Sequence, residues 1–215
     1  MNLIIDWLFS QYAEVPTNIV ILELTAIFFG IISAWFSKLN NILIYPTGII
    51  STAIFVYLLA VYGLLGDLII NAYYFSMSVY GWYFWTRKID DTHYIPITKM
   101  DKKEVSIASA IFVGTLIFIF IIYQIFDKWE DWTAYVDTLT TAIFFVAMWL
   151  LARKKIENWI FLLVGNLISI PLYFYKGLVF TSFQFILFVF ISIYGYKAWK
   201  KLLYKPETTL LGSSK

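Results

Sequence analysis

Apolar residues run along this chain in stretches of fifteen to twenty-two, broken by short polar connections. A hydrocarbon core about 30 Å thick is crossed by about 20 helical residues. Seven stretches approach that length: 19–36, 42–62, 67–85, 105–126, 138–152, 158–175 and 179–199. The pattern predicts an all-α chain of seven transmembrane helices. The fifth stretch is the shortest, since only fifteen residues separate Asp137 from Arg153, so spanning calls for help from the Trp132-to-Tyr135 stretch or local thinning of the bilayer. Ahead of the first span, Leu3, Ile4, Trp7, Leu8 and Tyr12 recur at helical spacing without the basic start of a secretory signal. Residues 1–18 therefore read as an interfacial helix. Residues 86–104 form the longest polar connection and hold the single histidine, His93, read as a solvated side chain; residues 202–215 read as a tail.

The pattern also repeats. Thr25-Ala-Ile-Phe-Phe29 returns as Thr141-Ala-Ile-Phe-Phe145, and Tyr80-Gly-Trp-Tyr-Phe-Trp85 returns as Tyr194-Gly-Tyr-Lys-Ala-Trp199. Between these anchors Asn41 and Gly48 align with Asn158 and Gly165, and Gly63-Leu64 with Gly177-Leu178. A unit of this length suits a duplicated bundle rather than a solenoid. The expected organisation is a first three-helix repeat over 19–85, a loop and linker helix over 86–126, and a second three-helix repeat over 127–201. One added crossing between two three-helix units restores the orientation of the second, so the repeats are expected to be parallel, in a 3+1+3 arrangement.

Composition agrees with a bilayer. The chain is 61% hydrophobic and 14% charged with a mean hydropathy of +0.76, too little polar surface to cover a water-soluble globule of this size. The absence of cysteine excludes a disulfide framework and thiolate chemistry. The placement of charge says more than the net value of +2. Of the Lys and Arg residues, 14 fall on one side of the seven spans and only Lys128 and Lys176 on the other. The positive-inside rule puts the basic side in the cytoplasm, with the N-terminus outside and the C-terminus inside.

No phosphate-cradling glycine loop, metal-ligand cluster or serine–histidine arrangement occurs, so the chain is not expected to be an enzyme, and no cofactor, metal or nucleic-acid partner is expected. Polar residues inside apolar spans are the stronger signal, because they are costly in hydrocarbon unless they face protein or a watery cavity. Glu23, Asn71, Asn166 and Gln184 are such residues. Asn158, Trp159, Leu162 and Asn166 fall on or near one face of the sixth span, Asn71, Tyr74 and Ser78 on one face of the third, and Thr181 with Gln184 on the seventh. Asn71 and Gln184 also sit one position apart in the repeat alignment. These residues predict one polar pocket between the repeats; interhelical hydrogen bonding is the other use of such amides. Most tryptophans, among them Trp7, Trp129, Trp132 and Trp199, read as interfacial anchors. Trp159, beside the polar face, offers a stacking surface for a planar or cationic heteroaromatic ligand, although the start of a span is also an anchor position. Pro46 and Pro171 lie inside the second and sixth spans and are hinge candidates, a static kink being the other reading.

Glu157-Asn158-Trp159, the run Leu172-Tyr-Phe-Tyr-Lys-Gly177, Tyr194-Gly-Tyr-Lys-Ala-Trp199, Tyr45-Pro-Thr-Gly48 and Tyr80-Gly-Trp82 together resemble the Pnu-type vitamin transporter family, the PnuC-like nicotinamide riboside transporters. The likeness runs from about 19 to 201. It implies a full-length SWEET-like fold, a homotrimer in the bacterial cytoplasmic (inner) membrane, and facilitated diffusion of a vitamin that is trapped inside by phosphorylation. The family's nicotinamide riboside members carry two tryptophans three apart on the sixth span and an acidic residue a turn further on. Here those later positions are Leu162 and Asn166, which removes one stacking surface and one negative charge; Glu23 is a candidate to supply the charge. Nicotinamide riboside is the first expected substrate, with thiamine or riboflavin as alternatives. A non-transporting ligand sensor and an ion channel are the competing classes.

Overall fold

The computed structural model describes residues 16–61, 65–88, 95–126, 132–175 and 179–204. The expected interfacial helix, His93, Trp7, Trp129, Lys128, Lys176 and the last eleven residues of the tail lie outside them. Seven helices follow in order: α1 (Thr17–Lys38), α2 (Ile44–Val61), α3 (Leu65–Thr86), α4 (Lys102–Ile125), α5 (Thr133–Ala152), α6 (Asn158–Tyr175) and α7 (Val179–Leu203). The short fifth stretch is completed upstream, because α5 begins at Thr133 and gains a turn and more ahead of Asp137. Six helices are long and apolar enough to cross a membrane by length and composition. The exception is α3. It has 22 residues, yet Asn71, Tyr73, Tyr74, Ser76 and Ser78 dilute its apolarity.

The helices pack in two groups. α1 packs on α2 and α2 on α3; α5 packs on α6 and α6 on α7; α3 on α5 and α1 on α7 join the groups, and α4 packs on α5. At the α3–α5 seam Tyr73 stacks on Phe145, with ring centroids 3.8 Å apart, and its hydroxyl donates to the Phe145 carbonyl at 2.9 Å. All described Lys and Arg residues lie at one end of the bundle, at the ends of α1, α3, α5 and α7, at the start of α4 and in the adjoining segments.

At that basic end α1 and α5 stop in the same way. The Asn41 and Asn40 amides donate to the Phe36 and Ser37 carbonyls, each at 3.0 Å, and the Lys155 and Lys154 amides donate to Leu150 and Leu151 at 2.9 and 3.0 Å. Asn40 (φ 52°) and Lys154 (φ 54°) occupy the left-handed position that this Schellman turn requires. Lys154 is buried, its ammonium 4.3 Å from the centroid of the Trp85 ring, and burial lowers its pKa to about 8. The segment 95–101 straps this end. Thr98 donates to Lys154 O at 3.1 Å and accepts from the Ile156 amide at 3.0 Å, and the Met100 amide donates to the Glu157 carboxylate at 3.1 Å. α4 starts where it does because Asp101 and Glu104 form a capping box, at 2.7 and 3.0 Å. Glu104 also receives the Lys155 ammonium at 2.8 Å.

Close approaches recur between the two groups. A Cβ on Gly81 would lie 2.3 Å from the Tyr45 ring, and one on Gly195 2.5 Å from the Trp159 ring; one on Gly30 would lie 3.1 Å from Ser51, and one on Gly165 2.6 Å from Phe144. In both comparisons the matching residues are 114 positions apart. The contacts therefore set Tyr45 against Trp159 and Asn71 against Phe185. They keep Asn71 one position from Gln184, and they correct the alignments of Thr25–Phe29 with Thr141–Phe145, Asn41 with Asn158 and Gly48 with Gly165, which followed residue identity instead of packing.

Replacing Gly195 by Ala forces the Trp159 ring to move and should cost about 1–3 kcal/mol, as overpacking does. The Gly114→Ala change on α4, where a Cβ meets nothing within 4 Å, should cost nothing. Thermal unfolding in detergent measures both; equal melting temperatures would contradict the packing described.

Candidate functional site

Between the two groups lies a cavity of about 1220 Å³, large enough for a nucleoside-sized molecule. Its floor is at the basic end. Tyr45 and Trp159, 3% and 2% exposed, form it, and Trp85 and Trp199 lie directly beneath. Tyr45 meets Trp85 edge-on at 5.2 Å, Trp85 lies 6.0 Å from Trp199, and Trp199 meets Trp159 edge-on at 5.5 Å. The two lower indoles are crossed. Trp85 at the end of α3 donates Nε1–H to the Leu151 carbonyl at 3.3 Å, near the end of α5; Trp199 at the end of α7 donates to the Ser37 carbonyl at 3.0 Å, near the end of α1. Both acceptors belong to the Schellman turns, where helix-end carbonyls have spare capacity. Each group thus locks the basic end of the other, and the cavity is shut there.

Above the floor the walls are small and polar on one side and mix aromatic, apolar and polar residues on the other. Ser33, Gly48, Ser51 and Ser78 come from the first group, and Phe144, Leu162, Asn166 and Ser192 from the second. Asn166 Nδ2 donates to Ser192 Oγ at 3.4 Å, and Ser192 donates onward to Phe188 O at 2.7 Å. Four polar atoms on the lining, Ser37 Oγ, Tyr45 OH, Trp159 Nε1 and Ser169 Oγ, are buried without a protein hydrogen-bond partner. Such atoms are expensive in a packed interior and are suited to a bound polar molecule. Further up stand Asn71, Asp137, Tyr173 and Phe185, and the lining reaches Phe126, Thr133 and Tyr175 near the helix ends opposite the floor.

Of the residues read from sequence, Trp159, Leu162, Asn166, Asn71 and Ser78 line this cavity. Asn158, Gln184 and Glu23 do not. Asn158 is fully buried at the first position of α6, below the floor, with its amide donating to the Lys155 carbonyl. Gln184 is one residue from Phe185, which with Phe188 and Ser192 forms the cavity face of α7, so it is rotated about 100° away. Glu23 lies two turns beyond Gly30, where the α1 lining begins. Thr181 lies outside the residues whose side chains are described. Pro46 falls in the first turn of α2, where the missing N–H has no helical partner to lose, so a kink follows only at Pro171 inside α6. Trp199 is a buried floor residue rather than an interfacial anchor. Tyr74, read on one face with Asn71 and Ser78, also lines the cavity, while Tyr45, Phe144, Tyr173 and Asp137 were missed. Asp137, Thr140, Thr141 and Phe144 repeat at helical spacing along one face, a signal obscured by reading Asp137 as the edge of a span.

The chain matches the model of a family described as nicotinamide mononucleotide transporter over residues 20–201. It is 23% identical over 193 residues to the nicotinamide riboside transporter PnuC of Escherichia coli, covering 79% of this chain and 81% of that protein. It is 26% identical over 131 residues to the riboflavin/roseoflavin transporter RibM of Streptomyces davaonensis, covering 58% of this chain and 59% of that one. The crystal structure of the vitamin B3 transporter PnuC has a similar fold, with a TM-score of 0.63, 19% identity and coverage of 94% of this chain and 89% of that one. A seven-helix membrane bundle with a closed-ended, aromatic-floored cavity, matched over nearly its whole described length, places the chain in the nicotinamide mononucleotide transporter family, a membrane transporter and not an enzyme.

Proposed function

We propose that the cavity binds a small heteroaromatic vitamin and carries it across the bacterial cytoplasmic membrane by facilitated diffusion, with nicotinamide riboside the first candidate. The observation that carries this reading is the pairing of the Trp159 and Tyr45 rings with unpartnered polar atoms at the closed end of the cavity. Rings stack on a planar heterocycle, and the orphan donors and acceptors fix its orientation. Asn166, Asn71 and Ser78 supply further polar contacts, and Leu162 supplies an apolar edge. Thiamine is the second candidate and riboflavin the third, the last favoured by the likeness to RibM. A vitamin moved down its gradient accumulates when phosphorylation inside the cell traps it.

Alternating access follows from the two groups. The cavity is shut at the basic end, which the positive-inside rule assigns to the cytoplasm, with the N-terminus outside. Opening that end requires the crossed Trp85 and Trp199 bonds to part, with Pro171 the candidate hinge. A 3+1+3 organisation with parallel repeats is supported by contacts matched at a separation of 114. A homotrimer rests on the family resemblance.

Titration calorimetry on the detergent-solubilised protein should find tight binding of one of the three vitamins, weakened roughly tenfold by Trp159→Phe, which keeps a ring and removes the orphan N–H. Failure of all three to bind sinks this reading. In sealed vesicles, counterflow of the bound vitamin should proceed without a pH or sodium gradient. Trp85→Phe with Trp199→Phe should raise that exchange rate several-fold by weakening the closed basic end; an unchanged or lower rate would show that opening there does not limit transport.

A further inference from the structure

We infer that the seam between α1 and α7 at the basic end holds the headgroup of an anionic phospholipid, and that this lipid ties the two helix groups together beside the closed floor. On α7 the residues Phe183, Leu187, Phe190 and Tyr194 are exposed. They recur at steps of four, three and four, so they form one outward stripe along the helix. The same stripe ends on Lys197 and Lys201, both exposed. On α1 the exposed residues Ile21, Leu24, Phe28 and Trp35 form a second stripe, and Lys38 follows one turn later. The two helices pack on each other. Their stripes meet where Lys38 Nζ lies 3.7 Å from the centroid of the Trp35 ring and 5.8 Å from that of Tyr194. Lys197 Nζ lies 5.8 Å from the same Tyr194 centroid. Apolar tracks that lead to an aromatic collar and then to ammonium groups follow the depth profile of a lipid from chain to phosphate.

Charge points to an anionic headgroup. Two ammonium groups gathered on one ring repel each other, and a shared phosphate relieves that repulsion. Counted over the whole sequence, the segments on this side carry 14 Lys and Arg and 6 Asp and Glu, so the positive excess does not depend on any one pairing. Anionic lipids are drawn to basic residues placed at this depth. The position also bears on the gate. Lys38 follows Ser37, whose carbonyl accepts from Trp199, and Lys197 stands two residues before Trp199. A headgroup bridging the two lysines therefore bridges the two helices that this bond joins. The lipid contact is independent of which vitamin the cavity takes.

The test is thermal unfolding of the full chain in neutral detergent supplemented with phosphatidylglycerol or with phosphatidylcholine of the same acyl chains. Phosphatidylglycerol should raise the melting temperature by about 4 °C or more over phosphatidylcholine. Equal melting temperatures overturn the inference, and this comparison needs no variant to fold. Lys38→Gln with Lys197→Gln should abolish most of the increment, and each single change should lower it, which reads the same contact if the double variant fails to fold. Lys102→Gln with Lys103→Gln removes the same charge at the start of α4 and should keep the increment. Equal losses in both pairs would mean that the basic end attracts anions generally, and would overturn the site. Glycerol phosphate at the concentration of the lipid should give no increment; an equal one would show that a free phosphate suffices and that no lipid is needed. An increment that appears only with a change in oligomeric mass, measured by light scattering, would show a second copy on the seam and likewise overturn the lipid assignment.

Discussion

A buried indole N–H without an acceptor costs about 1–3 kcal/mol, and the basic end of this bundle buries Trp85 and Trp199 together. Their acceptors are the carbonyls of Leu151 and Ser37, on the turns that end α5 and α1. Those turns exist because Asn40 and Lys154 take a left-handed conformation, which ends the helices sharply. The donors come from the opposite group in each case. The floor of the cavity, the joining of the groups and the closed state of one end all depend on this exchange. Gly81 and Gly195 allow it, since any side chain there would meet the Tyr45 or Trp159 ring.

Above the floor the same chain solves a different problem, that of keeping polar groups inside a membrane. α3 is the clearest example. Its Asn71, Tyr74 and Ser78 line the cavity, and they are also among the residues that keep it from being apolar enough to stand with the other six spans. Lipid-facing helices meet no such demand. α4 exposes Val113, Ile117, Phe118, Phe120 and Ile121, and it lines the cavity only near its end.

The helices were legible because each is long and apolar and its boundaries are marked by charge or by proline and glycine. The cavity was half legible. Asn71, Asn166 and Ser78 stand out as polar residues among apolar ones, and Trp159 is conspicuous next to them. Asn158 and Gln184 stand out equally, yet one is spent on a helix start and the other is rotated off the face; a single residue of phase decides this, and composition does not carry phase. Tyr45 and Trp199 were hidden for the opposite reason. Aromatic residues at span ends are usually belts, and only the crossing of helices at the basic end turns them inward. The register of the expected repeat was not legible, because identical residues such as Gly48 and Gly165 have different neighbours in the two groups.

The linker helix breaks the balance between the two groups. α4 packs on α5, and the strap that precedes it is tied to the α5–α6 junction through Thr98, Met100 and Glu157. The second group is therefore four helices wide, with a broad apolar flank held by surrounding lipid, while the first is three. Displacing a body through a viscous sheet is harder the more perimeter it presents. In the motion proposed above, the first group is then the arm and the second the frame.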